Sequence, residues 1–129
     1  MSQFNFIEII ERAYISDSRG DFLKIMNGSE GGLSKVFGEI YMVRGRPGAS
    51  RANHYHIAAS EWFTILSGSA KLVLIDIVTN QKRSIDLDSK TPVTVKVPPL
   101  VAHSLINSGE SEFSLLAYSD MPYFVADTI

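Results

Sequence analysis

Short runs of β-branched and apolar residues, each closed within a few positions by glycine, proline or asparagine, leave this chain few ways to fold. Val73-Leu74-Ile75-Asp76-Ile77-Val78 is followed by Thr79-Asn80 and then by the alternating run Gln81-Lys82-Arg83-Ser84-Ile85-Asp86-Leu87, the pattern of a hairpin. Val93-Thr94-Val95-Lys96-Val97 alternates strictly, so its valines share one face. Residues 37–43, 62–66 and 113–118 read as further strands, and 7–13 as a strand rather than a helical turn. Turn signals stand at Asp17-Ser18-Arg19-Gly20, Arg46-Pro47-Gly48, Ser67-Gly68-Ser69, Pro98-Pro99 and Asn107-Ser108-Gly109. Short strands punctuated at roughly 8–12 residues predict an all-β sandwich or barrel, and no stretch carries a long helical period.

The 129 residues, of which 45% are hydrophobic, suit one domain with one core. The barrel core is expected over about 36–119, with N-terminal strands over 4–27 adding to the sheet or to a dimer. With no cysteine, disulfides and zinc–thiolate sites are excluded. The start, Met1-Ser2-Gln3-Phe4-Asn5-Phe6, lacks the basic and long apolar regions of a signal peptide, so a cytoplasmic address is expected. No apolar run approaches the roughly 18 residues of a membrane span. A net charge of −2 without a basic stripe argues against nucleic acid. The segment 28–35 is glycine-rich but lacks P-loop spacing and a following helix, and reads as a flexible surface loop. The apolar stretch 120–125 is expected to pack as an ordered tail on the barrel or a partner subunit.

Chemistry concentrates on three histidines. His54 and His56 are two apart on an apparent strand, so both side chains take one face. Glu61 opens the next strand, and His103 follows the Pro98-Pro99 turn, where a closed barrel can bring it opposite the first pair. Imidazoles with one carboxylate suit a divalent ion such as zinc, nickel, manganese or iron.

These residues resemble a known pattern. Gly48, five residues, His54-Tyr55-His56, four residues, Glu61, six residues and Gly68 is similar to the first cupin motif; Pro98, a gap, His103, three residues and Asn107 resembles the second. Leu100 and Pro92 stand where the second motif usually has glycine. The resemblance covers about 36–119. It implies a cupin, the double-stranded β-helix or jelly-roll barrel, with a metal on His54, His56, Glu61 and His103. Arg51-Ala52-Asn53-His54-Tyr55-His56, Asp17-Ser18-Arg19-Gly20-Asp21-Phe22 and the 97–103 run are similar to stretches of cupins acting on nucleotide sugars. Those are the C-terminal cupin of capsular-polysaccharide enzymes that epimerise a nucleotide-linked 4-keto sugar, the dTDP-4-dehydrorhamnose 3,5-epimerases and the 3,4-ketoisomerases.

The resemblance implies an epimerase or isomerase of a nucleotide-linked 4-keto sugar in polysaccharide biosynthesis. Moving a proton beside a ketone needs an acid–base group and a stabilised enolate. His54, His56 and Tyr55 are the candidate proton-transfer groups, Arg51, Arg44 and Tyr41 the candidate substrate contacts, with the arginines suited to a diphosphate. Lys71 and Lys96 are further candidates for the cavity wall. The same ligand set also suits a cupin dioxygenase, and a non-catalytic small-ligand-binding cupin is the third expectation. A homodimer is expected from the apolar residues on both faces of 71–78 and from the sugar cupins resembled, which dimerise, often by exchanging N-terminal strands.

Overall fold

The computed structural model describes residues 2–28, 30–33, 38–122 and 125–129, with Ala52 described by its backbone alone. Among these the chain forms β1 (Glu8–Glu11), β2 (Tyr14–Asp17), β3 (Gly20–Leu23), β4 (Glu39–Gly45), β5 (Ser50–His54), β6 (Glu61–Ser67), β7 (Ser69–Asp76), β8 (Lys82–Asp88), β9 (Val93–Val97), β10 (Val101–Ile106) and β11 (Phe113–Ser119), with 3₁₀ turns at Gln3–Phe6 and Val125–Asp127. Two antiparallel sheets, ordered β1-β9-β6-β11-β4 and β5-β10-β7-β8, enclose one apolar core. Phe63, Ile65, Val95, Val97, Phe113 and Leu115 enter it from the first sheet, Leu72, Leu74, Leu87 and Leu105 from the second. This is the cupin jelly roll, made by the period-two alternation of each strand.

The hairpin read at 73–87 is β7 and β8, paired from Ser69↔Asp88 to Ile75↔Lys82. β1 adds to the first sheet beside β9, whereas β2 and β3 pair with each other as a separate two-stranded sheet. The strand expected over 37–43 appears as β4; Phe37 lies outside the described residues, as do Ser29, Ser34 and Lys35 of the glycine-rich segment and Tyr123 and Phe124 of the tail.

The segment around Glu30 is not the free surface loop expected. The Glu30 carboxylate is buried, accepts backbone N–H bonds from Asn27 and Gly28, and meets the Arg12 guanidinium at 2.6 Å. Arg12 Nε in turn donates to the Thr94 hydroxyl at 2.9 Å. A buried carboxylate needs such a counter-charge, and the pair pins this segment over the outer face of β6 and β9, where Trp62 and Thr64 are buried too.

Positive φ occurs at three motif positions, Gly48, Gly68 and Leu100. Gly68 has φ 75°, and a Cβ there would sit 2.8 Å from the Glu112 carbonyl oxygen, so the position requires glycine. Leu100, where the motif usually has glycine, adopts φ 66° all the same. Its N–H donates to the His56 carbonyl at 2.8 Å and its carbonyl accepts from Ile77 at 3.1 Å, which holds the strained residue in place.

Candidate metal centre

His54 ends β5 and lies opposite His103 of β10 in register. Two β5 residues, Ala52 and Asn53, face the single Ser104, a bulge that turns the end of the strand. Asn53 points outward, where its Oδ1 accepts from the Ser104 and Ser50 hydroxyls. His56 lies beyond the strand, contrary to the sequence expectation: a bridge to Thr128 holds it, not the sheet. It still enters the barrel, because the backbone of residues 55–57 pairs with the C-terminal segment. Tyr55 exchanges hydrogen bonds with Ile129, and Ile57 N–H donates to Asp127. Glu61 enters from the first residue of β6.

One potential ligand atom from each of His54, His56, Glu61 and His103 falls within 4.8 Å of all the others. His56 Nε2 is 2.6 Å and His103 Nε2 3.6 Å from Glu61 Oε1. Yet all three atoms are buried without a hydrogen-bond partner of acceptable geometry. Lone pairs converging on a common point, rather than on each other, are what a metal ion satisfies. Tyr41 donates its hydroxyl to the other oxygen, Glu61 Oε2.

The electrostatics fit the same role. Burial presses the His103 pKa down to about 4, and burial followed by the nearby His56 lowers that of His54, so both are neutral and ready to ligate. His56 moves up, first through its contact with Glu61, with Asp127 adding to the effect. Burial pushes the Glu61 carboxyl up, but His56, His103 and Tyr41 outweigh it and leave the group below its ordinary value. Burial and the Glu61 charge keep the Tyr41 phenol protonated far above the usual range. On its far side, His56 Nδ1 is 3.3 Å from both an Asp127 carboxylate oxygen and the Thr128 hydroxyl. Asp127 is itself held by N–H groups of Ala58 and Ala59. A carboxylate behind a ligating imidazole fixes its orientation and tautomer.

His54, His56 and Glu61 border a cavity of about 300 Å³ whose other lining residues include Glu39, Tyr41, Ser119, Asp127 and Thr128, while His103 lies buried behind them. Of the other residues expected at the site, only Tyr41 is there. Arg44 alternates with Tyr41 on β4, faces outward and lies 3.9 Å from Glu112. Tyr55 sits between two inward histidines and is absent from the lining. Arg51 is exposed on β5, three residues before His54. Lys71 is exposed on the outer face of β7, and Lys96 stacks over Trp62 near Glu8 on the outer side of β9. Sequence reasoning missed Glu39, Ser119, Asp127 and Thr128. Glu39 was reachable, since it precedes Tyr41 by two on a strand; nothing in the sequence marks Asp127, whose place depends on the tail folding back.

A family model, the polysaccharide biosynthesis C-terminal domain, matches residues 15–128. A spore coat polysaccharide biosynthesis protein of Bacillus subtilis (strain 168) is 27% identical over 113 residues, 84% of this chain and 74% of its own length. A UDP-2-acetamido-2,6-β-L-arabino-hexul-4-ose reductase of Pseudomonas aeruginosa is 24% identical over 105 residues, 81% of this chain but 27% of that protein. The solved dTDP sugar isomerase of Desulfovibrio desulfuricans superposes with a TM-score of 0.86 at 19% identity, covering 95% of this chain and 82% of that one, a likeness of fold.

Proposed function

This chain belongs to the polysaccharide biosynthesis C-terminal domain family, and from that membership we propose that it is a metal-dependent epimerase or isomerase of a nucleotide-linked 4-keto sugar in polysaccharide biosynthesis. The observation that carries the reading is the convergence of three imidazoles and one carboxylate, with unpartnered buried lone pairs, beside a cavity large enough for a sugar.

His54, His56, Glu61 and His103 would hold the ion. Bound there, a divalent ion supplies a Lewis acid for the sugar's ketone, keeping about one unit of positive charge after Glu61 is counted. The chain's own groups do the rest. Asp127 and Thr128 keep His56 Nε2 aimed inward. Tyr41 holds its proton against Glu61 and fixes the carboxylate. No lysine or arginine is among the described lining residues, so the cavity takes the sugar ring and the diphosphate stays outside it. Arg51, exposed on the strand that carries His54, is the proposed diphosphate contact; the outward Arg44 has no such role.

No helix among the described residues is long and apolar enough to cross a membrane, and a cytoplasmic enzyme is proposed. A homodimer is proposed as well: the β2–β3 hairpin carries Ile15 and Phe22 exposed as a register pair, and Ile40 and Met42 are exposed on the outer face of β4. Light scattering at micromolar concentration tests this, and a monomer would reject it.

The function is tested by measuring metal in protein purified without added ions, then following UDP- and dTDP-linked 4-keto-6-deoxyhexoses in D₂O by NMR. Deuterium entering beside the ketone in the metal-loaded protein alone is the expected result. Metal-free protein that exchanges equally well would reject the metal role, and no exchange with any of these sugars would reject the function.

A further inference from the structure

Enolising a keto sugar requires a base, and a metal-loaded site removes the obvious ones. His54, His56 and His103 then spend their free lone pairs as ligands, and Glu61 likewise. Tyr41 keeps its phenolic proton and donates it to Glu61. Asp127 is committed to His56 and to the N–H groups of Ala58 and Ala59. The Ser119 hydroxyl donates to the Met121 carbonyl at 2.9 Å. Among the described residues, one titratable lining group remains. The Glu39 carboxylate borders the cavity, is partly exposed, and has no hydrogen-bond or ion-pair partner among the described residues.

Its position suits the task. Glu39 of β4 pairs with Ser119 of β11, and Ser119 pairs with Glu61 of β6, so the three stand in one row across the sheet at the barrel mouth. Two strand spacings, about 10 Å in all, separate the outer members of that row. A sugar whose carbonyl oxygen faces the histidine side therefore has its ring between the ligand cluster and Glu39.

We infer that Glu39 is the catalytic base, taking the proton from the carbon next to the sugar's carbonyl; this rests on the enolising function proposed above. The C–H bond breaks, its proton forms an O–H bond on Glu39, and the electron pair passes into the enolate, whose charge settles on the oxygen at the cluster. In reverse, the Glu39 acid returns the proton or, after exchange through the open mouth, a deuteron from solvent.

The test compares the unaltered protein with Glu39→Gln and Glu39→Ala, using UDP- and dTDP-linked 4-keto-6-deoxyhexoses in D₂O, with metal content and calorimetric sugar binding measured on each protein. Glu39→Gln should lose at least about 100-fold in the rate of deuterium entry, the worth of a positioned base. Its metal content should be unchanged and its sugar Kd within about threefold, since only a step of the reaction is removed. Added formate should restore part of the rate to Glu39→Ala, an effect that a merely structural role would not produce. Exchange by Glu39→Gln at the unaltered rate would overturn the assignment while leaving the proposed function standing. Loss of exchange together with loss of metal, without rescue by formate, would overturn it in favour of a structural role. No exchange by the unaltered protein would remove function and assignment together.

Discussion

Metal binding at this site should compete with fewer protons than three ordinary histidines would hold. All three histidines must be neutral to ligate, and for free histidines that would mean three titrations near pH 6.5. Burial has already driven His103 to a pKa of about 4 and lowered that of His54, so both give up their protons at lower pH than a free imidazole and leave fewer for the ion to displace. Glu61, below its ordinary value, gives up its proton early too. His56 is the exception, raised by Glu61 and then by Asp127. Its charged form is favoured by the fold, so this contribution to metal-free stability is complete below the unfolded pKa and disappears as pH rises through the folded one. Once pH falls below that folded value, the ion displaces one proton and its affinity drops tenfold per unit. Two units then cost about 100-fold, or about 2.7 kcal/mol, against about a millionfold for three competing protons. The assay is isothermal titration of metal-free protein with Zn²⁺ at pH 5.5, in buffers of different ionisation enthalpy, which counts protons released per ion bound. A count clearly below that of three free imidazoles is expected. Three would show that burial does not hold His54 and His103 neutral, and a count near zero would show that Glu61 and Asp127 do not keep His56 protonated in the metal-free protein.

Asp127→Asn removes the carboxylate behind His56 and should weaken Zn²⁺ binding about 10- to 100-fold, read by competition with a chromophoric chelator. Arg12→Ala leaves Glu30 as an unpaired buried carboxylate and should cost about 3–5 kcal/mol in urea unfolding, whereas breaking the exposed Arg19–Asp17 pair by Arg19→Ala should leave the urea midpoint essentially where it was. Burial raises Glu30, but Arg12 and the local N–H groups outweigh it and hold the carboxyl below its ordinary value. The stabilisation this gives is present above the unfolded pKa and lost as pH falls through the folded one, so the deficit of Arg12→Ala should shrink in acid. Gly48→Ala, with φ 82° and open space for a Cβ, should cost about 1–2 kcal/mol, and Gly68→Ala more, because its Cβ also meets the Glu112 carbonyl; melting curves of the two variants check the order.

What the sequence made legible was local or periodic. Alternation located the strands and put the valines of β9 on one face, and the His54, His56, Glu61 and His103 spacing identified the cluster. The same alternation, applied to β4, would have turned Arg44 outward and put Glu39 inward; the error lay in weighing charge type before strand phase. Long-range docking was not legible. Asp127 reaches His56 only because the tail folds back over the mouth, and Glu30 is buried only because Arg12, eighteen positions earlier, faces it across the sheet surface. Leu100 shows the limit of motif reasoning in another way. The glycine is missing but its left-handed backbone is kept, held by hydrogen bonds to His56 and Ile77.

The bridge between His56 and Thr128 bears on how long the site takes to appear. The two local hairpins, β2–β3 and β7–β8, can close within about 1–10 μs. Apart from His56 with Glu61, five residues apart, the contacts that build the cluster are remote by comparison: His54 must find His103, and residues 55–57 must wait for 127–129. Pairings of this kind put antiparallel barrels in the millisecond-to-second range. On a ribosome adding about 5–20 residues per second, His54, His56 and Glu61 are made seconds before His103, and Asp127 later still. An ion present from the start therefore finds two imidazoles and a carboxylate on an open chain, and the enclosed four-ligand site among the last things formed.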